Sequence, residues 1–225
     1  MKSWTIVFDL DGTLVDTAPD LAAATNYVLS TLSLAPVDEI EIRNFVGHGA
    51  LAMIEGALKS QGRTLPQREL YDLFEVFIAH YTANIAAHSA PFPNAIATLQ
   101  AMANEGAVLA VCTNKIEAHA RALLDALDLS QYFAAITGRD SVGAYKPDPK
   151  HLTETIARAA GLTERAVMIG DSETDIRTAK AAGVPIVAVD FGYSTEPVRT
   201  FGPDLIISNF SELPGAVRKL TNCPV

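Results

Sequence analysis

Six short apolar runs rich in valine and isoleucine recur along this chain, at Trp4 to Phe8, Val108 to Cys112, Ala134 to Thr137, Ala166 to Ile169, Pro185 to Val189 and Leu205 to Ile207. They are continuous rather than alternating, the pattern of strands covered on both faces. Helical periodicity fills the spaces between them, notably over Asn94 to Asn104, Ile116 to Leu127, Pro149 to Ala160 and Asp175 to Ala182, with Gly106, Gly161 and Gly183 placed as C-terminal stops. Strand and helix in alternation predict an α/β fold built on a doubly wound, mostly parallel sheet. At 225 residues the chain can bury a full core and still carry a smaller insertion.

The alternation breaks between Asp16 and about His88, where the chain is rich in alanine and leucine and offers no convincing buried strand. Pro19 suits the first turn of a helix, Asp38 can cap a helix carrying Ile40, Ile42 and Phe45, and Pro66 can open a segment through Leu73, Phe77 and Tyr81. The expected organisation is therefore a core domain from 1–16 and 89–225, with a helical domain inserted over 17–88.

Net charge and cysteine content narrow the function classes. A charge of −9 and a pI near 5.0 argue against nucleic acid and against an anionic membrane surface, which would repel the chain. Cys112 and Cys223 lie far apart with no Cys-x-x-Cys spacing, so neither a disulfide framework nor a zinc site is indicated. The N-terminal apolar stretch is broken at Asp9, too early for a signal sequence, and no run approaches the roughly 18 residues of a membrane span. A cytoplasmic location is expected, with no membrane partner.

Chemistry enters where the first apolar run ends, in Val7-Phe8-Asp9-Leu10-Asp11-Gly12-Thr13-Leu14. In an extended segment Asp9 and Asp11 point to the same side while Leu10 turns inward. Two converging carboxylates repel, and a cation, a shared proton or solvent must absorb the charge. Taken alone, the segment reads equally well as a solvated loop start. The ends of other runs shift the balance: Thr113 and Asn114 follow the second, Gly170-Asp171 through Asp175 follow the fourth, and Lys146-Pro147 precedes a helix. In open parallel sheets sites form beyond the carboxyl ends of the strands, so these segments converge on one crevice.

Such a set suits phosphoryl transfer, which needs an in-line nucleophile, neutralisation of the phosphate oxygens and a proton for the leaving oxygen. A carboxylate can be the nucleophile, but a phosphate dianion repels it unless a hard divalent cation intervenes, and magnesium fits an all-oxygen ligand set. Lys146 adds a second cation. Thr113 and backbone amides near Asn114 can donate to phosphate oxygens, and Asp11 can serve as acid and then base.

In these four segments and their order the chain closely resembles the haloacid dehalogenase superfamily, in its phosphoglycolate phosphatase-like branch with a helical cap of the C1 type. The resemblance implies a Rossmann-like core and a magnesium-dependent phosphomonoester hydrolase. Asp9 would be the nucleophile that forms an aspartyl-phosphate, and Asp11 the general acid that also offers its backbone carbonyl to the metal. Asp171 would be the third metal ligand, and Asp175 would support the metal through water or orient Lys146. Thr113 and Lys146 would hold the phosphate, with Asn114 assisting through its backbone. Dehalogenases of the superfamily lack an acid at the second position, so Asp11 favours phosphate over halide.

The resemblance also directs attention to the cap, where the Gly47-His48-Gly49 turn is similar to a substrate-specificity loop and Arg43 or His48 could meet a substrate carboxylate. A solvated helix face is the slightly better expectation for Arg43. The same glycines loosely fit a dinucleotide-binding pattern, but Glu39 to Val46 reads as helix rather than strand. His80, His88, His119 and His151 show no metal spacing and are expected at the surface or in cap packing, with Cys112 a small core residue. The expected partner is a small anionic phosphorylated metabolite, foremost 2-phosphoglycolate. Pyrophosphate, nucleoside monophosphates, sugar phosphates and a β-phosphoglucomutase-like phosphomutase activity stand as alternatives, and a non-catalytic binding module sits poorly with an undamaged set of motifs.

Overall fold

The structure is a computed structural model, and it describes residues 4–47 and 49–221. In chain order the elements are β1 (Thr5–Phe8), β2 (Val15–Asp16), α1 (Ala18–Thr31), α2 (Glu39–Arg43), α3 (Ala50–Ser60), α4 (Gln67–Ala83), β3 (Ala90–Pro91), α5 (Ala95–Asn104), β4 (Val108–Cys112), α6 (Glu117–Ala126), β5 (Ala135–Thr137), α7 (Pro149–Arg158), β6 (Ala166–Gly170), α8 (Glu173–Ala182), β7 (Ile186–Val189), β8 (Leu205–Ile207) and α9 (Leu213–Thr221). They form two compact units, one from the described residues up to Val15 and from Pro91 onward, the other Asp16–Ala90.

The first unit is a six-stranded, wholly parallel sheet in the order β5-β4-β1-β6-β7-β8. All six apolar runs of the sequence are strands of this sheet. Because side chains alternate across a strand, Val7, Ala110, Cys112, Met168, Ile186 and Ala188 share one face, where Leu152 and Ile156 of α7 and Ile176 and Ala179 of α8 cover them. Helices α5 and α9 pack with β4, β7 and β8. β1 and β6 are buried at every position, which accounts for continuous rather than alternating hydrophobicity.

Helix stops follow the expected chemistry with one exception. Gly183 caps α8 in the left-handed region, and Gly106 takes the same conformation just past α5. After α7 it is Ala160 that turns left-handed, while Gly161 serves close approach: a Cβ there would lie 2.1 Å from Thr5 Oγ1.

The second unit is helical, α1 to α4. Pro19 falls in the first turn of α1, Asp38 accepts a hydrogen bond from the Ile40 N–H to cap α2, and Pro66 precedes α4. Its core gathers Leu21, Val28, Leu29, Ile42, Met53, Ile54, Leu58, Leu73, Phe77 and Tyr81. Helix α2 is shorter than its apolar spacing suggests: Ile42 is buried, Ile40 is exposed, and Phe45 lies in the turn beyond, packed against the space left by Gly56. Asp20, buried on α1, accepts hydrogen bonds from the Ser89 N–H at 2.8 Å, the Ser89 hydroxyl at 2.6 Å and the His88 N–H at 3.0 Å, fastening the end of the segment to its beginning. No described helix is long and apolar enough to cross a membrane.

Candidate active site

The parallel register brings Phe8 level with Val111 of β4 and Ile169 of β6, so the residues that follow each strand emerge side by side. Asp9 N–H donates to the Ile169 carbonyl at 2.9 Å, and Thr113 N–H to the Thr137 carbonyl at 3.0 Å, extending the sheet one step into its polar end. Gly12 then turns the chain with φ +78°, a conformation that suits glycine.

Asp9, Asp171 and Asp175 place carboxylate oxygens within 4.8 Å of one another, and all three side chains are buried. Lys146 enters from the segment before α7, only 2% exposed, with Nζ 2.7 Å from Asp9 Oδ1 and 2.6 Å from Asp175 Oδ1. The Asp175 contact is a formed hydrogen bond. Asp9 Oδ1 receives no aligned hydrogen bond, so its proximity to Lys146 is a contact of charges. One ammonium among three buried carboxylates leaves an excess of negative charge. Burial pushes Asp9 up to about 8, against the pull of Lys146 and with the push of Asp175 and Asp171. Asp171 rises to about 6, again through burial first and Asp175 second, while hydrogen bonds from Tyr193 and Thr13 resist the rise. Burial would lower Lys146, but Asp175 and Asp9 outweigh it and hold the ammonium charged.

Such a set fits a hard divalent cation on chemical grounds: oxygen donors only, surplus negative charge and an unsatisfied oxygen on Asp9. Asp11 stands outside this trio; both of its oxygens meet Lys115 Nζ, at 2.8 and 3.1 Å.

The supporting contacts are specific. Asp171 accepts from the Thr13 hydroxyl at 2.8 Å and from the Tyr193 N–H at 2.8 Å. A Cβ at Gly192 would lie 2.2 Å from the Asp171 Cβ, and one at Gly170 would lie 2.4 Å from the Asp175 Cβ, so both glycines make room for carboxylates. Ser172 caps α8 and donates its hydroxyl to Asp175 Oδ2 at 2.6 Å, leaving Oδ1 for Lys146. Asn114 spends its side-chain amide on the Lys146 backbone, donating to the carbonyl and accepting from the N–H, each at 2.9 Å. Its side chain thus locates the Lys146 backbone, a contact additional to the backbone support expected of it.

Several expected residues sit differently. Arg43, with a 29% exposed side chain, pairs with Asp16 at 2.9 Å and Glu39 at 2.8 Å, all within the helical unit. Gly47 and Gly49 turn the chain before α3, each with positive φ; His48 lies outside the described residues. The segment before them is helix and turn, not the strand that a dinucleotide site needs. His151 corrects the surface assignment: it is fully buried on the inner face of α7, and burial and Lys146 push it down to about 4. Cys112 is a buried core thiol, pushed up to about 12 by burial. Lys115, Thr13, Gly192 and Tyr193 drew no role from the sequence. A lysine directly after Thr113-Asn114 and a glycine soon after β7 were the available signals. A cavity of about 630 Å³ beside β7 and β8 is lined by Asp190, Glu196, Arg199 and Ile206, and none of the site carboxylates borders it.

The chain is similar to known proteins over nearly its whole length. Residues 6–189 match the family model of haloacid dehalogenase-like hydrolases. A phosphoglycolate phosphatase of Mesorhizobium japonicum is 52% identical over 92% of this chain and 92% of its own length. A phosphoglycolate phosphatase of Caulobacter vibrioides is 47% identical over 98% and 93%. Among solved structures, a protein of Haemophilus somnus described as a predicted phosphoglycolate phosphatase superposes with a TM-score of 0.89 at 30% identity, covering 96% of this chain and 99% of that one.

Proposed function

The chain belongs to the haloacid dehalogenase-like hydrolase family, and from that premise we propose that it is a magnesium-dependent phosphatase converting 2-phosphoglycolate to glycolate and phosphate. The observation that carries the proposal is the buried trio Asp9, Asp171 and Asp175 around Lys146. Asp175 also closes the capping box of α8, but packing does not call for Asp9 and Asp171 buried beside it, and phosphoryl transfer does.

In the proposed reaction Asp9 attacks phosphorus with one carboxylate oxygen, the bond to the leaving oxygen breaks with its electron pair staying on that oxygen, and the oxygen takes a proton from protonated Asp11. Glycolate departs, leaving an aspartyl-phosphate. Water then attacks that phosphorus, Asp11 accepts its proton, and the bond to Asp9 breaks to release phosphate. Lys146, held by Asp175 and Asn114, bears on the phosphate oxygens, and the Thr113 hydroxyl and neighbouring backbone amides are assigned to donate to them. Asp9, Asp171 and the Asp11 carbonyl are the proposed metal ligands, with Asp175 behind them. Magnesium, when bound, supplies neutralisation of the phosphate charge that would otherwise repel Asp9. The helical segment 17–88 is proposed as the cap that selects the leaving group, with Arg43, Gly47 and His48 as its candidate contacts, and the cytoplasm as the place of action.

Phosphate release from 2-phosphoglycolate, set against sugar phosphates, nucleoside monophosphates and pyrophosphate, each with magnesium and with chelator, tests this function. Magnesium-dependent preference for 2-phosphoglycolate is expected. Equal release from every ester would overturn the substrate, and phosphate migration on a hexose 1-phosphate without net release would assign a mutase.

A further inference from the structure

Resting on the phosphatase function above, we propose that Lys115 determines substrate specificity by receiving the carboxylate that the leaving glycolate carries. The two ammonium groups of the site are placed differently. Lys146 is 2% exposed and lies between Asp9 and Asp175, on the side of the nucleophile. Lys115 is 8% exposed and lies on Asp11, itself 15% exposed, bridging both carboxylate oxygens. Asp11 is the group assigned to protonate the leaving oxygen, so a cation on Asp11 stands on the leaving-group side.

Reach agrees with that placement. In 2-phosphoglycolate a single methylene separates the ester oxygen from the carboxylate. An ester oxygen within hydrogen-bond reach of Asp11, about 3 Å, therefore carries its carboxylate into the range of an ammonium that sits 2.8 Å from the same Asp11. An ammonium is a compact charge with three donors on a flexible stem, able to take a second carboxylate beside the first or in its place.

The backbone of Lys115 is firmly held within the core unit. Its N–H donates to the Thr113 hydroxyl oxygen at 3.2 Å, its carbonyl accepts from the Arg139 N–H at 3.0 Å, and a Cβ on Gly138 would lie 2.6 Å from that carbonyl oxygen. The stem of the cation is thus anchored in the loop that carries Thr113, the residue assigned to the phosphate. Arg43, the cation first expected to meet a substrate carboxylate, carries two carboxylates of its own in the helical unit.

The test compares 2-phosphoglycolate with ethyl phosphate, which replaces the carboxylate by a methyl group, in the parent and in Lys115→Met and Lys115→Arg. The parent is expected to favour 2-phosphoglycolate by on the order of 100-fold in kcat/KM, the scale of one hydrogen bond to a charged group. Lys115→Met should bring that ratio to within about threefold, with KM for 2-phosphoglycolate rising more than kcat falls, and Lys115→Arg should restore part of it. If Lys115→Met slows both esters by one common factor, or keeps the parent's ratio, the inference is overturned while the phosphatase function stands. A parent that does not prefer 2-phosphoglycolate overturns the proposed substrate and the inference together. Should Lys115→Met not fold, Lys115→Gln is read by the same ratio.

Discussion

The two units place their charged groups in opposite ways. In the sheet unit Asp9, Lys146, Asp171 and Asp175 are buried together, Asp9 and Asp171 directly after β1 and β6, Lys146 before α7 and Asp175 in the first turn of α8. In the helical unit Arg43, Asp16 and Glu39 form partly exposed pairs, and among the described residues Asp20 is the one buried charged side chain, its carboxylate satisfied by backbone and hydroxyl donors. Buried charge left without enough counter-charge is costly, and it persists where a reaction uses it. The contrast teaches that buried, under-compensated charge lies in the sheet unit, where the proposed phosphoryl transfer is assigned, whereas Arg43 of the helical unit is partly exposed and paired.

The largest expected effect is Asp9→Asn, which removes the nucleophile and should lower turnover by roughly 10⁴-fold. Its urea midpoint should hold or rise, since Lys146 then pairs with Asp175 alone and one buried carboxylate fewer must be neutralised. Persisting turnover would take the nucleophile's role away from Asp9. Lys146→Met should reduce kcat by roughly 10²- to 10³-fold and destabilise the fold by about 3–5 kcal/mol, the scale of stranding a buried charge, measured by steady-state kinetics and denaturant unfolding. Asp171→Asn should weaken magnesium on the order of 100-fold, with much of the rate recovered as magnesium is raised. Unchanged magnesium dependence would remove Asp171 from the metal.

His151 sharpens the comparison through pH. Unfolded, its imidazole takes a proton below the ordinary 6.5, but folded it does so only below about 4, so the unfolded chain binds more protons across that window. Stability should therefore fall as pH drops from about 6.5 toward about 4, by roughly 2 kcal/mol over the first unit and a half for this fully buried ring. Denaturant unfolding at pH 7 and pH 5 should show the loss in the parent and a smaller one in His151→Gln. An identical loss in both would show that the ring is not held neutral. The smallest effect belongs to Arg43→Ala, below about 1 kcal/mol, as befits a partly exposed pair. A large rise in KM for 2-phosphoglycolate in that variant would break the comparison by putting a substrate contact in the helical unit.

The strands and the four motif segments were legible because a doubly covered strand needs uninterrupted apolar residues, and a carboxylate that ends one is conspicuous. Less legible were interactions that use the backbone. Asp171 is fastened by the Tyr193 N–H, which any residue other than proline could supply, and the informative residue is Gly192 beside it. Lys115 looks like an ordinary loop lysine until the fold sets it on Asp11. His151 could have been found, since Leu152, Thr155 and Ile156 mark the inner face of α7 that it shares. Gly161 was assigned to the wrong cause, because a stop signal and a close contact with Thr5 look the same in one dimension. Arg43 was read as a solvated helix face or a substrate contact, and its pair with Asp16, far off in sequence, was legible in neither reading.

The central claim is that Asp9 carries the phosphoryl group, and acid-quenched single turnovers of 2-phosphoglycolate test it most directly. Peptide mass spectrometry of the quenched parent should place one phosphoryl group on the peptide containing Asp9, labile to hydroxylamine, and Asp9→Asn should carry none. A parent that releases phosphate without ever bearing that group, or that bears it on another residue, would contradict the account.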